Sequence, residues 1–204
     1  MNWLEIVKEL KTISQAGKKF AKDNYELQRH KDIERIAAQI GSEFTSNTPE
    51  QILELFQSDT GYPTPKVDSR GVIIEDGKVL LVKEIEDGGW TLPGGWCENG
   101  MKPSENVVRE VWEESGYQTQ TDQLLAVFDR DSQGHFPPYP FNIYKLFFRC
   151  RIVGGKPKAS EETSDVAWFS KDRIPPLSSQ RTTEKQLKLF FDMAENKDCK
   201  TYFD

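Results

Sequence analysis

The spacing of apolar residues changes character near residue 61, and this change limits the possible folds more than any other feature. Before it, apolar side chains recur at helical intervals, among them Trp3, Ile6, Val7, Leu10, Ile33, Ile36, Ala37, Ile40 and Phe44. After it, short runs of valine, isoleucine and leucine alternate with glycine and proline turns, which is typical of strands. The Pro- and Gly-rich segment 61–65 separates the two regions. We therefore predict a small helical domain over residues 1–60 and a second domain over residues 61–204.

The second region interleaves strand and helix patterns. Runs at 72–74 and 79–82 flank Asp76-Gly77, a dipeptide that favours a tight hairpin. Later strands are expected at 124–128, 141–152 and 166–169, and helices at about 104–115, stopped by Gly116, and at 183–195. This order predicts an α/β fold, a sandwich with a mixed sheet and helices on both faces.

Composition excludes several classes of function. The net charge of −6 and the pI near 5.2 disfavour binding of duplex nucleic acid, which usually requires a basic surface. The chain has no run of about 18 apolar residues, so we expect no membrane span. The N-terminus lacks the pattern of a signal peptide, and the three cysteines form no CxxC pair. We therefore expect reduced thiols and a soluble, cytoplasmic protein.

The expected helix at 104–115 carries an acidic face. Glu110, Glu113 and Glu114 are spaced i, i+3 and i+4, so they share an arc about 100° wide. Three carboxylates this close repel one another, but together they suit a hard divalent cation such as Mg²⁺. Opposite them, Val107, Val108, Val111 and Trp112 are expected to anchor the helix to a core. The alternative is a solvated surface helix with pairs such as Arg109–Glu113.

The segment around this helix resembles the Nudix box. The matching residues are Gly95, Arg109, Glu110, Val111, Glu113, Glu114, Gly116 and Tyr117. The sequence departs from the box at Met101, where the family has its first glutamate, which helps to hold the arginine. Either Glu105 or Glu98 could replace that partner. The helical extension resembles that of a bacterial Nudix subgroup, which includes CDP-choline pyrophosphatases and proteins described as ADP-ribose pyrophosphatases.

This resemblance implies the Nudix α/β/α sandwich and a metal-dependent hydrolase. Glu110, Glu113 and Glu114 would bind Mg²⁺ or Mn²⁺, and Arg109 would orient their carboxylates. The general base stays open between a glutamate of the box and a carboxylate of a distant loop. Glu161 and Glu162 are candidates for that loop, with an exposed acidic loop of no catalytic role as the alternative.

Other residues are candidates for substrate binding. Gly94 and Gly95 would let the backbone approach a ligand closely. Arg70, Arg130 and Lys145 could contact phosphate, although a strand-edge lysine facing solvent would have no such role. His135 could contact substrate or be an exposed loop histidine. Aromatic residues could stack a base, pack in the core or enclose a quaternary ammonium, namely Trp3, Trp90, Trp96, Phe136 and Tyr139.

Several functions remain open within this class. The resemblance to the bacterial subgroup points first to hydrolysis of CDP-choline to CMP and phosphocholine, and the aromatic residues named above could enclose the quaternary ammonium. ADP-ribose ranks second, and a short RNA end held by metal is a further possibility. A sensor that binds a nucleotide without cleaving it is the alternative of a different class. We also expect a homodimer, with the N-terminal helices either forming the interface or covering the active site.

Overall fold

The computed structural model describes residues 3–139, 141–196 and 199–204. The chain divides into two compact units, Met1–Pro65 and Lys66–Asp204. No helix in these three ranges combines the length and hydrophobicity that a membrane span needs.

The first unit consists of three helices, α1 (Trp3–Phe20), α2 (Asn24–Ser42) and α3 (Pro49–Gln57). The Asp23 carboxylate caps α2, and Thr48 and Gln51 form the capping box predicted for α3. A small core lies between the helices and contains Val7, Ala37, Ala38, Ile52 and Phe56. The helical character predicted for this region is therefore confirmed.

Part of the apolar stripe of this unit lies on its surface. Trp3 and Phe44 stack with ring centroids 5.3 Å apart, although 43% and 57% of these residues stay exposed. Ile13, Phe20 and Ile36 are exposed as well. The three helices thus bury only part of their apolar side chains within the unit.

The second unit contains nine strands and two α-helices within the described residues. The helices are α4 (Pro103–Ser115) and α5 (Glu184–Glu195). Asp76 and Gly77 both have positive φ in the predicted hairpin turn, and Gly116 ends α4 in the left-handed conformation. The strands are β1 (Lys66–Val72), β2 (Ile74–Glu75), β3 (Lys78–Glu84), β4 (Trp90–Thr91), β5 (Gly94–Trp96), β6 (Tyr117–Asp129), β7 (Ile143–Gly155), β8 (Thr163–Ser170) and β9 (Tyr202–Phe203).

The strands form two sheets. The larger has the order β5-β1-β7-β6-β9, with β1 parallel to β7 and the β6–β7 pair antiparallel. In the smaller sheet β3 pairs with β2, β4 and β8. Because β1 and β7 are parallel neighbours, residues far apart in sequence come to lie side by side, and this arrangement builds part of the site described below.

The two helices belong to different hydrophobic clusters. Val107 and Val111 of α4 share one with Ile73 and Leu80, whereas Leu187 of α5 belongs to the other. The predicted α/β fold with helices on both faces and a mixed sheet is therefore confirmed.

One prediction for α4 is wrong. Trp112 does not anchor the helix, because 54% of it is exposed. It lies about 100° around the helix from buried Val111. Asn106 and Ser115 are buried instead, together with Val107.

Candidate active site

The acidic face of α4 borders a cleft of about 480 Å³, here called the acidic cleft. The ends of β3 and β5, the helix α4, and the loops at 160–162 and at residue 181 surround it. Its lining includes most of the predicted site residues, namely Arg70, Gly94, Gly95, Arg109, Glu110, Glu113, Glu114, Glu161 and Glu162, together with Glu84, Trp96, Glu98, Ser160 and Arg181. The fold thus brings the glutamates of α4 and of the distant loop to one opening.

The two glycines before α4 make room for these carboxylates. Gly94 has a φ of 139°, and a Cβ there would collide with the backbone of Ser69. Its N–H donates to Glu114 Oε2 at 2.8 Å. A Cβ on Gly95 would lie 2.9 Å from Glu110 Oε2. Position 94 therefore requires glycine, and a side chain at position 95 would displace the Glu110 carboxylate, so both glycines support the placement of the carboxylates.

Burial changes the protonation of the inner carboxylates. Glu114 is 5% exposed, and this burial raises its pKa to about 8, although Arg70 and the Gly94 N–H oppose the shift. Burial also raises the pKa of Glu110, against the charge of Arg109 and with the charge of Glu113. The pKa of Glu84 is raised as well, chiefly by burial. The cleft therefore concentrates carboxylates that a nearby cation would stabilise in the ionised form.

Arg109 holds three glutamates. Its Nη2 lies 2.7 Å from Glu110 and 3.0 Å from Glu98, and its Nη1 lies 2.8 Å from Glu113. Glu105 instead pairs with Lys102 at 2.7 Å on the exposed side of the helix. Of the two replacements considered for the missing box glutamate, Glu98 is the one in contact with Arg109, whereas Glu105 is paired with Lys102.

The donor set fits a divalent cation in its chemistry. Carboxylate oxygens are the ligands that Mg²⁺ and Mn²⁺ take in proteins, and the acidic cleft supplies them from α4, β3, the loop between β5 and α4, and the loop at 160–162. Across residues 3–139, 141–196 and 199–204, however, no three His, Cys, Asp or Glu side chains already converge on one point. The Arg109 guanidinium balances part of the negative charge of the glutamates, a role that a bound cation would share.

A second, smaller cleft of about 250 Å³ adjoins the first and is here called the basic cleft. The two share Arg70, Gly95, Trp96 and Arg181. The remaining lining consists of Asp68, Glu86, Arg130, Tyr139, Ile143, Lys145 and Gln180. The structure therefore places the predicted Arg70, Arg130 and Lys145 together, next to the acidic cleft.

Arg70 and Lys145 converge on Asp68 in the basic cleft. Arg70 Nη2 and Lys145 Nζ each lie 2.7 Å from an oxygen of Asp68, and all three residues are at most 5% exposed. Burial raises the pKa of Asp68, but the charges of Arg70 and Lys145 outweigh it and hold the pKa below its usual range. Burial lowers the pKa of Lys145 to about 8, although Asp68 opposes this shift.

Lys145 is not the solvent-facing edge lysine considered as an alternative. Its strand, β7, lies between β1 and β6, and Lys145 stands opposite Asp68 in the parallel β1–β7 register. The residue is 2% exposed. Sequence alternation alone could not distinguish this interior position from an edge, because the distinction depends on which strand pairs with β7.

His135 occupies a buried position, so the exposed-loop alternative is wrong. It is 7% exposed, and its ring nitrogens lie 3.0 Å from the Ser179 carbonyl oxygen and 3.0 Å from Gln186 Nε2. Burial, with a contribution from Lys145, lowers its pKa to about 3. The ring therefore joins the loop before β7 to α5, outside the lining of both clefts as far as the chain is described.

The aromatic candidates separate into different positions. Trp96 and Tyr139 lie at the basic cleft with ring centroids 6.2 Å apart. Trp90 packs edge-on against Phe169 at 4.7 Å, which is the core alternative, and Phe136 is 67% exposed. Trp96 and Tyr139 are therefore the aromatic residues in position to contact a ligand bound in the basic cleft.

Sequence reasoning missed several residues of the clefts, among them Asp68, Glu84 and Arg181. Asp68 and Arg70 are two positions apart on β1 and so lie on one face of the strand. This spacing is a weak indication in the sequence that the two side chains pair. Glu84 ends the apolar strand β3. Arg181, whose Nε lies 3.1 Å from Glu84, follows β3 by almost 100 residues, and nothing local in the sequence indicates this pairing.

Comparisons with known proteins match this geometry. The sequence profile of the NUDIX domain matches residues 65–190, and that of the UDP-X-like, N-terminal oligomerisation domain matches residues 1–56. A Bacillus subtilis protein named "Putative ADP-ribose pyrophosphatase YjhB" is 43% identical over 202 residues, covering 99% of this chain and 97% of its own length.

Two solved structures are similar. A Streptococcus suis ADP-ribose pyrophosphatase has a TM-score of 0.63 and 35% identity, covering 69% of this chain and all of its own. A UDP-X diphosphatase has a TM-score of 0.64 and 28% identity, covering all of this chain and 98% of its own. With both profiles matched and the box residues lining the acidic cleft, the chain belongs to the Nudix hydrolase family and carries the UDP-X-like N-terminal domain.

Proposed function

We propose that this enzyme hydrolyses the diphosphate of a nucleoside diphosphate linked to a second moiety, with ADP-ribose as the preferred substrate and Mg²⁺ or Mn²⁺ as the cofactor. The observation that carries the proposal is the junction of the two clefts. Carboxylates suited to divalent cations lie on one side and buried cations suited to phosphate on the other, with Arg70, Gly95, Trp96 and Arg181 shared between them. A diphosphate requires both kinds of surface.

Within the acidic cleft we assign Glu110, Glu113 and Glu114 as metal ligands. Bound cations would supply Lewis-acid stabilisation of the charge that develops on the phosphoryl oxygens. Arg109 keeps Glu110 and Glu113 in place through the contacts at 2.7 and 2.8 Å. Gly94 fixes Glu114 through its N–H. Preorganised side chains of this kind lower the cost of binding a cation and its substrate.

The general base is proposed to come from the loop at 160–162. Glu162 lines the acidic cleft, and its charge acts on both Glu110 and Glu84. It is exposed, so it can exchange a proton with solvent after taking one from the attacking water. Glu161 lies beside it on the same cleft. Separate Glu161→Gln and Glu162→Gln variants would identify which carboxylate serves, because loss of the base should lower kcat at saturating Mg²⁺ while Mg²⁺ affinity stays unchanged.

ADP-ribose stands first because the relative that spans nearly the whole chain carries that name, as does one of the similar structures. CDP-choline is the second candidate. Trp96 and Tyr139 offer aromatic faces beside Glu86, a combination that attracts a quaternary ammonium. The cations Lys145 and Arg130 in the same cleft oppose a cationic group, which favours the first candidate.

The test is a substrate panel with Mg²⁺ and with EDTA. It compares kcat/KM for ADP-ribose, a UDP-sugar, CDP-choline, nucleoside triphosphates and a short RNA. The highest value for ADP-ribose, with activity lost in EDTA, is the expected outcome. A higher kcat/KM for CDP-choline would make CDP-choline the preferred substrate, and the assignment as a diphosphate hydrolase would stand. Tight binding of ADP-ribose without hydrolysis of any member would instead favour the nucleotide sensor.

We further propose that the N-terminal unit forms a homodimer. The unit matches an oligomerisation domain, and its exposed apolar residues include the Trp3–Phe44 stack, Ile13 on α1 and Ile36 on α2. Light scattering at micromolar concentration should give twice the chain mass, and Phe44→Asp should shift it toward the monomer. The exposed Tyr25→Ser variant on α2 is the matched control. A monomeric native protein would contradict the proposal.

A further inference from the structure

We infer that the basic cleft is a phosphate subsite, in which Arg130 and Lys145 bind one phosphoryl group of the substrate and retain it after cleavage as a phosphomonoester. This inference rests on the proposed function, because it assigns one half of the cleaved diphosphate to that cleft. It also goes further, since it requires binding of a phosphomonoester in the absence of any metal.

The first support is the charge balance of the buried groups. Arg70, Lys145 and Arg130 are 5%, 2% and 3% exposed, and all three line the cleft. Asp68, at 4% exposure, binds both Arg70 and Lys145, Asp131 lies 3.5 Å from Arg130, and Glu86, whose side chain is 70% exposed, also lines the cleft. Buried charges are normally balanced by partners, so an excess of buried cations at an open cleft points to an anionic ligand.

The second support is an unused donor. Arg130 Nη2 donates to the Pro137 carbonyl oxygen at 2.7 Å, which fixes the guanidinium. Its Nη1 is buried and has no hydrogen-bond partner within the described residues, and the carboxylate of Asp131 lies 3.5 Å from it. A buried guanidinium nitrogen without a hydrogen bond is costly, and a phosphoryl oxygen is a strong acceptor for it.

The aromatic residues define what lies next to the phosphate. The Arg130 guanidinium lies 5.6 Å from the centroid of Tyr139, which in turn neighbours Trp96. Trp96 is 46% exposed and borders both clefts. A group attached to the bound phosphate could therefore lie against the rings while the diphosphate bond faces the acidic cleft. The ligand class is a phosphate ester whose organic part is planar or ring-shaped.

The test measures binding of AMP, ribose 5-phosphate, inorganic phosphate and adenosine by titration calorimetry of the full chain in EDTA. Without a cation the acidic cleft repels phosphate, so binding reports on the basic cleft. We expect the phosphate esters to bind and adenosine not to bind. If inorganic phosphate binds as tightly as AMP and ribose 5-phosphate, the cleft is a site for free phosphate. That result would overturn the inference that the cleft binds a phosphoryl group of the substrate.

Variants locate the binding. Lys145→Met leaves Asp68 paired with Arg70, and Arg130→Lys keeps the charge while removing the fork. Each should weaken AMP binding, by about tenfold or more for Lys145→Met and less for Arg130→Lys. Arg151→Gln, which removes an exposed cation elsewhere, is the control and should bind normally. Thermal unfolding confirms that each variant is folded. Unchanged affinity in folded Lys145→Met would reject the inference.

The failure of this inference is distinguishable from failure of the proposed function. If ADP-ribose is hydrolysed but AMP does not bind in EDTA, the phosphate subsite is wrong and the hydrolase stands. If AMP binds through Lys145 but ADP-ribose is not hydrolysed, the subsite stands and the proposed substrate is wrong.

Discussion

The two clefts handle charge in opposite ways although they share four residues. In the acidic cleft, glutamates outnumber the arginines, and Glu98 and Glu113 remain partly exposed, at 60% and 44% of their side chains. In the basic cleft, cations exceed carboxylates, and Asp68, Arg70, Arg130 and Lys145 are buried almost completely, whereas the Glu86 side chain is 70% exposed. The first arrangement leaves carboxylates free to reorganise around a cation. The second fixes its cations before any ligand arrives, which suits recognition of phosphate.

The largest expected effect lies in the acidic cleft. Glu114→Gln should lower kcat with Mg²⁺ by more than the roughly 10–100-fold typical of losing an outer-shell partner, because it removes a proposed metal ligand. The fold should persist, since a glutamine oxygen can still accept from the Gly94 N–H. Metal affinity measured by calorimetry should fall in parallel. The exposed Glu105→Gln variant on the same helix is the control. Near-normal turnover of Glu114→Gln would contradict the assignment of α4 as the metal site.

The acidic cleft could be predicted from the sequence largely because its features are local. The i, i+3, i+4 spacing of Glu110, Glu113 and Glu114, the preceding glycines and the stop at Gly116 all lie within two dozen residues. Periodicity and turn residues likewise identified the Asp76-Gly77 hairpin, α4 and α5. Trp112 shows the limit of such reasoning, because helical spacing alone did not define how wide the packed face is.

The basic cleft could not be predicted in the same way. Asp68 and Lys145 meet because β1 and β7 pair in parallel, and they are 77 positions apart in the chain. Charge alone made Lys145, Arg70 and Arg130 candidates, but no local pattern could show that they share one cleft. The same holds for Arg181 and Glu84.

The comparison predicts a large difference in stability when one carboxylate is removed from each cleft. Asp68→Asn leaves Arg70 and Lys145 buried without their anion and should lower the free energy of unfolding by about 3–5 kcal/mol. Glu98→Gln breaks a partly exposed pair and should cost at most about 1 kcal/mol. Urea denaturation measures both. Adding Lys145→Met to Asp68→Asn should restore part of the loss, because one unpaired cation disappears. If Asp68→Asn and Glu98→Gln lower the free energy of unfolding equally, the proposed difference in charge burial between the two clefts is wrong.

The pH dependence of AMP binding should show whether the charge of Lys145 in the basic cleft contributes to phosphate binding. Burial lowers the pKa of Lys145 to about 8, so its charge is present below that pH and is lost as the pH rises through it. The groups facing Lys145 do not change their protonation in this pH range. Asp68 stays ionised because its pKa is held low, and Arg70 and Arg130 stay protonated because they are guanidinium groups. His135 stays neutral because its pKa is about 3. AMP affinity in EDTA should fall up to about tenfold between about pH 7 and pH 9. In Lys145→Met the profile should be flat, and a decline as steep as in the native protein would refute the role of Lys145.

The smallest expected effect tests how the chain compensates for Met101. Arg109 contacts Glu98 at 3.0 Å, and Glu98 comes from the loop before α4 rather than from the box position. Because its side chain is 60% exposed, the pair should contribute only about 0.2–1 kcal/mol, which corresponds to a loss of about fivefold or less in kcat/KM for Glu98→Gln. Glu105→Gln should have no effect, since Glu105 pairs with Lys102 instead. If Glu98 supports the arginine, Met101→Glu added to Glu98→Gln should recover activity, because a carboxylate returns to the position where the family has one. A greater loss from Glu105→Gln than from Glu98→Gln would show that Arg109 changes partners when substrate and metal are bound.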